Sequence, residues 1–474
     1  MPTIGTEIDI SSLIEATVAG NRNQIISTAR SLLQQGAPAA ELAGRVGLIV
    51  AHGDSDGHAI LTINAAAALS RWVPTLPQLE ELGSEKHEWE LPLLVQALVA
   101  TAPSLRRGQT AHDTYPDPLF PSELPEGKLV NDVMHDAVYG NDATTVERLL
   151  FGLYGTGADY RTMEVRTYDG IATTFQNAGH PLMFAVRGFQ LLDIVEWGER
   201  APNILHWLAP HLPLHTEEPA WINEVRSFSN NPAHRLDSLR TRLSAPKNEN
   251  ALPLRRLILS NADTTQVCQG VYDALIQGGA SSRGVGSVIA LAATEAMQMV
   301  GDNERDAFVQ AAHGLLFAAA VRQVYVRVQD IAALPLLFTS AAYINVLYKA
   351  LAQQNAPQGQ IPATTFGGGL IATSLLETLS SQLGAQDLAG AAATARRFLR
   401  LSNDTRALWA TIALSAAQAD AAADQGHTLQ IVQAAAEEFM AWPTTLADTN
   451  VDIFLQVALR AAAFAKRNAL VTGV

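Results

Sequence analysis

The sequence predicts an all-α protein that folds as one large helical assembly. Hydrophobic residues fill 48% of the 474 positions and charged residues only 16%, which is enough apolar material to bury a large core. Alanine and leucine dominate the long apolar stretches, runs of β-branched residues are few, and glycine or proline usually falls between the stretches. Strong helix formers separated by chain-breaking residues are typical of helices joined by short turns.

Charge and cysteine content narrow the range of partners and locations. The chain has 46 acidic and 32 basic residues, a formal net charge of −14, and no cluster of Lys and Arg. Such a surface disfavours nucleic acid and anionic membranes as partners. The N-terminal segment lacks the basic and apolar regions of a signal peptide, and one cysteine, Cys268, excludes an internal disulfide. We therefore expect a cytoplasmic protein, and the oligomeric state stays open.

Four stretches of the chain share one order of elements. They cover approximately residues 10–75, 130–200, 252–330 and 385–445. In each stretch a first helix ends at a turn, and the turns are Gly36-Ala37-Pro38, Gly157-Ala158-Asp159, Gly279-Ala280-Ser281 and Ser402-Asn403-Asp404. A second apolar helix, a loop and a third helix opened by histidine follow. This order predicts four degenerate three-helix repeats packed around one central site, in a single domain that spans 1–474.

The recurring histidine is the main functional signal. The four residues are His58, His180, His313 and His427, each preceded by a small residue and followed two positions later by Ile or Leu. Related units around one axis bring equivalent positions together, so we predict that the four imidazoles meet at one metal ion. Imidazole nitrogen suits Fe(II), Zn(II), Cu(II) and Ni(II). The alternative is that each histidine only caps its helix and was copied by duplication.

Further polar residues are weaker candidates for the same site. Lys349 is the single lysine in a long apolar helical stretch. A buried neutral lysine can add carbon dioxide and become an anionic metal ligand. The alternative is that its side chain extends to the surface and keeps its charge in water. Asp306, seven positions before His313, is a candidate catalytic carboxylate or only a helix-start acid. His135 is a candidate metal ligand, a substrate-side acid or base, or a core histidine. His52 is a candidate extra ligand or part of a solvated acidic turn. Three histidines in "LHWLAPHLPLH" (206, 211 and 215) are assigned to a loop because of its two prolines.

Around the matched histidines, above all in "GHPLMFAVRGFQLL", the sequence resembles the questin oxidase-like family, helical enzymes that oxidatively open anthraquinone-type polyketide rings. The resemblance implies a mononuclear non-haem Fe(II) centre held by several histidines, dioxygen as co-substrate and, in some members, a carboxylated lysine. The residues that would carry this are His58, His180, His313 and His427, with Lys349 as the modified lysine. The chain has Met183-Phe184 where members often carry a second histidine, and Arg305-Asp306 where members can carry a lysine.

These observations lead us to expect an oxygenase, a dioxygenase or monooxygenase, that opens an aromatic or quinone-type polyketide. Apolar walls for a flat substrate are expected from Phe184, Phe189 and Phe317, and residues 101–128 are expected to form a loop or lid. Residues 226–252 and 355–369 are predicted connectors. Two other functions stay open: a non-catalytic helical repeat scaffold, and a zinc-dependent hydrolase that uses the same histidines.

Overall fold

The chain is helical throughout the part that the structure, a computed structural model, describes. The described residues are 8–467 without 80–82, 112–113, 235, 237–238, 241–250, 303, 355–371, 403, 444–445 and 447–451. The structure is 75% helical, with 21 α-helices and no strand among the described residues. The all-α prediction is confirmed, and the predicted connector 355–369 lies outside the described residues.

The helices, in chain order, have the following bounds. They are α1 Ser11–Ala19, α2 Arg22–Gln34, α3 Ala39–Ala51, α4 His58–Ser70, α5 Leu91–Thr110, α6 Val130–Tyr139, α7 Ala143–Gly155, α8 Tyr160–Ile171, α9 His180–Val195, α10 Ala201–Leu208, α11 Trp221–Ser229, α12 Leu252–Ile258, α13 Thr264–Ile276, α14 Ser282–Met297, α15 Arg305–Arg327, α16 Pro335–Gln354, α17 Ala372–Gly384, α18 Leu388–Leu401, α19 Thr405–Ala416, α20 His427–Met440 and α21 Asp452–Ala463. The last three helices of each predicted stretch follow the predicted order, and we call them units one to four: α2–α4, α7–α9, α13–α15 and α18–α20. The first three stretches each contain one further helix before the unit, namely α1, α6 and α12, which the three-helix prediction does not include.

The first helix of every unit begins at the same kind of cap. An Asn or Asp side chain accepts a hydrogen bond from the backbone N–H three residues later; the caps are Asn21, Asp142, Asp263 and Asp387. The turns after these helices use glycine in the left-handed region in three units, with φ of 91°, 69° and 61° at Gly36, Gly157 and Gly279. The units are therefore alike in local structure, and their origin from one repeat stays a prediction.

The four histidine-bearing helices close into a ring. Helix α4 packs against α9 and α20, and α15 packs against the same two helices. Three glycines that directly precede a histidine lie against a side chain of the next unit, so closely that a Cβ atom would overlap it. The pairs are Gly57 with Phe184 (2.3 Å), Gly179 with Phe317 (2.2 Å) and Gly426 with Thr62 (2.1 Å). The last pair joins unit four to unit one and closes the ring.

Unit three departs from the predicted order. Helix α15 begins at Arg305, so His313 lies inside the helix and does not open it. The turn and the histidine are 34 positions apart in this unit (Gly279 to His313) and 22 in unit one (Gly36 to His58). The additional residues include the two turns of α15 that precede His313. The predicted opening histidine is therefore wrong for this unit, although His313 still reaches the same position in the ring.

The predicted loop or lid at 101–128 is shorter than expected. Residues 101–110 continue helix α5 through Pro103, and irregular structure begins only at Ala111. Pro103 lies inside the helix without ending it. The predicted boundary at residue 101 is therefore too early, because proline usually ends or kinks a helix.

One described stretch, Ile331–Gln353, is long and apolar enough to cross a membrane by length and composition alone. In the most apolar 18 residues of this stretch, 61% is buried inside the protein. It also buries polar side chains, among them Asn345, whose amide donates to the carbonyl groups of Ile258 and Ser260. These features are those of a core helix in a soluble protein.

Candidate metal centre

Four imidazole rings meet at the centre of the helical ring, and we call them the histidine tetrad: His58, His180, His313 and His427. The Nε2 atoms of His58 and His180 are 3.2 Å apart, and those of His313 and His427 are also 3.2 Å apart. Ring centroids of neighbours around the tetrad are separated by 4.9–5.6 Å. His58, His180 and His427 could hold a metal ion, because their ligand atoms all lie within 4.8 Å of one another.

Each ring is fixed by its other nitrogen. Every Nδ1 lies against a backbone carbonyl two or three residues earlier; the carbonyl groups are those of Asp56 (3.1 Å), Asn177, Gln310 (3.2 Å) and Asp424 (2.5 Å). A carbonyl oxygen only accepts hydrogen bonds, so Nδ1 carries the hydrogen. In the neutral ring Nε2 then carries an unprotonated lone pair, and this is the tautomer that a metal ligand needs.

The histidines do not cap their helices. Helices α4, α9 and α20 have a glycine N-cap in the left-handed region, with φ of 82°, 88° and 73°, and no N-cap side chain accepts a hydrogen bond. Aspartates satisfy the first turns instead: Asp54 accepts from the N–H groups of Ala59 (3.3 Å) and Ile60 (3.0 Å), and Asp424 accepts from the N–H of Thr428 (3.1 Å). The capping alternative therefore fails for these three helices.

Electrostatics favour a cation at the centre. Burial lowers the pKa of His180 and of His427 to about 3, and it also lowers the pKa of His313. These rings are therefore neutral at pH 7. The lone pairs of His313 and His427, which face each other at 3.2 Å, repel, and burial opposes relief by protonation. A metal ion between the nitrogens converts this repulsion into coordination.

The spacing of the nitrogens fits a metal ion. Bonds from imidazole nitrogen to a metal of about 2.0–2.1 Å place neighbouring ligand atoms about 3.0 Å apart at right angles and about 3.4 Å apart in a tetrahedron. The two observed Nε2 separations of 3.2 Å lie between these limits. Imidazole nitrogen donors suit iron, copper, nickel or zinc.

A cavity of about 1270 Å³ opens onto the tetrad. Four further histidines line it: His52, His206, His211 and His215. The sequence indicates His52 as a candidate ligand. It predicts a loop for the other three, which is wrong for His206 because this residue lies on helix α10. The dense spacing of the three histidines in "LHWLAPHLPLH" is the sequence signal for their role in the cavity. Burial lowers the pKa of His211 to about 4, and this ring is held by the backbone of Asp54.

Aromatic side chains form one wall of the cavity. The ring of Phe184 lies 5.4 Å from that of His180 and 4.9 Å from that of His211, and Trp207 lies 5.3 Å from His211. The expectation for Phe189 and Phe317 was wrong. Phe189 packs between Tyr168 and Trp197, Phe317 packs against Phe175 and Tyr343, and neither lines the cavity.

Asp306 lies at the rim of the cavity and not in the tetrad. It is on helix α15 with His313, two turns closer to the N-terminus, and its side chain is exposed. Its neighbour Arg305 also lines the cavity and is mostly buried.

Two other candidates lie away from the tetrad. Nε2 of His135, on helix α6, is 3.8 Å from the carboxylate of Asp169 in a separate groove that also contains Tyr139 and Arg226. Nζ of Lys349 donates to the backbone carbonyl of Ala262 at 2.8 Å, and Lys349 does not line the cavity. The structure therefore gives neither the predicted lysine ligand nor the predicted catalytic role of His135 at this site.

Comparison with known proteins gives no match: no protein-family model, curated protein or solved structure is significantly similar to this chain.

Proposed function

We propose that this protein is a metal-dependent oxygenase, with non-haem Fe(II) as the metal, that oxidatively opens an aromatic or quinone-type polyketide ring with dioxygen. The observation that carries the proposal is the cluster of His58, His180 and His427, whose ligand atoms lie within 4.8 Å of one another, with Nε2 of His313 3.2 Å from that of His427. In each ring Nδ1 lies against a backbone carbonyl. The likeness of "GHPLMFAVRGFQLL" to questin oxidase-like enzymes supports the choice of iron, dioxygen and substrate class.

The tetrad would hold the metal, and the cavity would hold the substrate beside it. Bound Fe(II) supplies the one-electron chemistry by which dioxygen reacts with an electron-rich ring. The cavity of about 1270 Å³ accommodates a fused-ring molecule. Phe184 and Trp207 offer flat apolar contacts, and the neutral ring of His211 offers a nitrogen to a substrate hydroxyl.

Elemental analysis of protein purified without an affinity tag tests the metal. We expect about one transition-metal ion per chain, or one Fe(II) after anaerobic reconstitution. His180→Ala should lose it, because a ligand is removed, whereas His135→Ala should keep it, because that ring lies in another groove. A wild-type protein that binds no iron, copper, nickel or zinc contradicts the proposal.

The reaction is tested by dioxygen consumption with a hydroxyanthraquinone as the probe. Consumption that requires both the probe and Fe(II), with ring-opened product, supports the oxygenase. A zinc-loaded protein whose hydrolytic activity persists without dioxygen supports the zinc-dependent hydrolase instead. Absence of metal supports the helical scaffold. A cytoplasmic location, where Fe(II) is available, belongs to the same proposal.

A further inference from the structure

The two-turn extension of helix α15 contacts residues 424–428, the segment in which the loop ends and His427 begins helix α20. It distinguishes unit three from the other units, and the metal site as described does not use it. Its first residue, Arg305, reaches from unit three to unit four, between the two units that supply His313 and His427.

The guanidinium of Arg305 is hydrogen-bonded to the first and last residues of this segment, Asp424 and Thr428. Nη2 donates to the carboxylate of Asp424 at 3.1 Å and to the hydroxyl of Thr428 at 2.5 Å. The same carboxylate oxygen of Asp424 accepts from the backbone N–H of Thr428 at 3.1 Å. The backbone carbonyl of Asp424 accepts from Nδ1 of His427 at 2.5 Å. Arg305 thus contacts the side chain of the same residue, Asp424, whose backbone carbonyl fixes the tautomer of His427.

Burial of this ion pair is costly. The side chains of Arg305 and Asp424 are only 25% and 17% exposed. One guanidinium nitrogen of Arg305, Nη1, and one carboxylate oxygen of Asp424, Oδ1, are buried without a hydrogen-bond partner in the described part of the chain. A buried pair with unsatisfied atoms is a poor source of stability. Its value therefore lies in the geometry that it imposes.

We propose that Arg305 is a positioning residue that locks the ring of His427 against His313. By holding Asp424 and Thr428 it keeps the Asp424 carbonyl on Nδ1 and so keeps Nε2 of His427 aimed at the centre of the tetrad. The role of the tetrad as a metal site rests on the proposed function, whereas the orientation of His427 is a property of the metal-free protein.

The test compares three variants. Arg305→Met removes the charge and the donors, and Arg305→Lys restores one charged donor. Arg255→Met is the matched control, because Arg255 forms an ion pair of similar exposure, 28% and 18%, with Glu295 and does not line the cavity. Co(II) is the metal probe, since its visible absorption bands report ligand geometry.

We expect Arg305→Met to bind Co(II) about 10- to 100-fold more weakly and with shifted absorption bands, which is the usual effect of removing a group that orients a ligand. Arg305→Lys should recover part of the affinity, and Arg255→Met should match the wild type. Crystal structures of the metal-free proteins should show the His427 ring turned from the Asp424 carbonyl in Arg305→Met only.

The outcomes separate this proposal from the metal proposal. If the wild type binds no metal, the proposed function fails, and the orientation of His427 in the metal-free structures still decides the role of Arg305. An unchanged His427 ring and unchanged Co(II) spectrum in Arg305→Met overturn the positioning role. If Arg305→Met does not fold, Thr428→Val, which removes one contact of the guanidinium, is judged by the same criteria.

Discussion

Replacing Gly179 by alanine tests the closure of the ring next to a tetrad ligand. Gly179 has φ of 88°, and an added Cβ would lie 2.2 Å from Cδ2 and 2.7 Å from Cε2 of Phe317. Gly157 is the matched control: it also lies in the left-handed region, with φ of 69°, but no atom lies within 4 Å of its added Cβ. The two substitutions share the backbone strain and differ in the clash with the next unit.

The magnitudes follow from these two contributions. The left-handed conformation costs an L-residue about 1–2 kcal/mol, so Gly157→Ala should lower the free energy of unfolding by that amount. Overpacking of a buried contact adds about 1–3 kcal/mol, so Gly179→Ala should lose about 2–5 kcal/mol. Gly179 is bonded in sequence to His180, so relief of the clash also displaces this ligand.

Urea unfolding of both variants measures the two losses, and Co(II) titration measures the effect on the site. We expect a larger loss of stability for Gly179→Ala, together with weaker Co(II) binding, whereas Gly157→Ala should bind Co(II) as the wild type does. Equal losses of stability in the two variants would refute the close packing of Gly179 on Phe317, and with it this contact between units two and three.

Three further outcomes follow from buried groups. Burial raises the pKa of Cys268 to about 12, which lowers its thiolate fraction at pH 8 about 1000-fold. A thiol reagent should therefore label Cys268 only when the protein unfolds. Rapid labelling of the native protein would contradict this expectation. Burial raises the pKa of Glu438, beside Arg322, to about 7, so its contribution to stability is fully present below about pH 4.5 and is lost as pH rises through 7. The stability of the wild type relative to Glu438→Gln, from urea unfolding at several pH values, should therefore fall between pH 4.5 and 7, and a constant difference would refute the raised pKa. Lys349→Met should retain all bound metal in elemental analysis, because Nζ is bonded to a backbone carbonyl, and loss of metal would return Lys349 to the site.

The sequence was sufficient to predict the helices and to select the tetrad. Glycine turns such as Gly36 and Gly157 have local physical causes that the sequence displays directly. The match of a small residue, a histidine and an aliphatic residue in four stretches identified positions that the ring then brings together. Local rules and internal repetition thus carried information about a long-range arrangement.

What the sequence did not reveal depends on tertiary packing. Asp306 is compatible with a helix start near Arg305, but an acidic residue alone does not distinguish this start from a helix that begins at His313. The cavity histidines on 201–215 approach the tetrad only because this segment packs beside the loop before α4. Lys349 resembles a buried ligand in its own helix, but the carbonyl that satisfies it lies before α13, 87 residues away in sequence.

The partners of the two ring nitrogens distinguish a structural histidine from a candidate metal ligand in this fold. In His135 the ring nitrogen faces a carboxylate, so the protein alone provides the partner. In the tetrad the protein provides a partner for each Nδ1 and directs Nε2 toward other nitrogens. One buried acceptor without a donor costs about 1–3 kcal/mol, and a fold can tolerate a single case. The neutral rings of His180, His313 and His427 direct such acceptors toward one centre and raise this cost together, and a single cation at that centre would remove it.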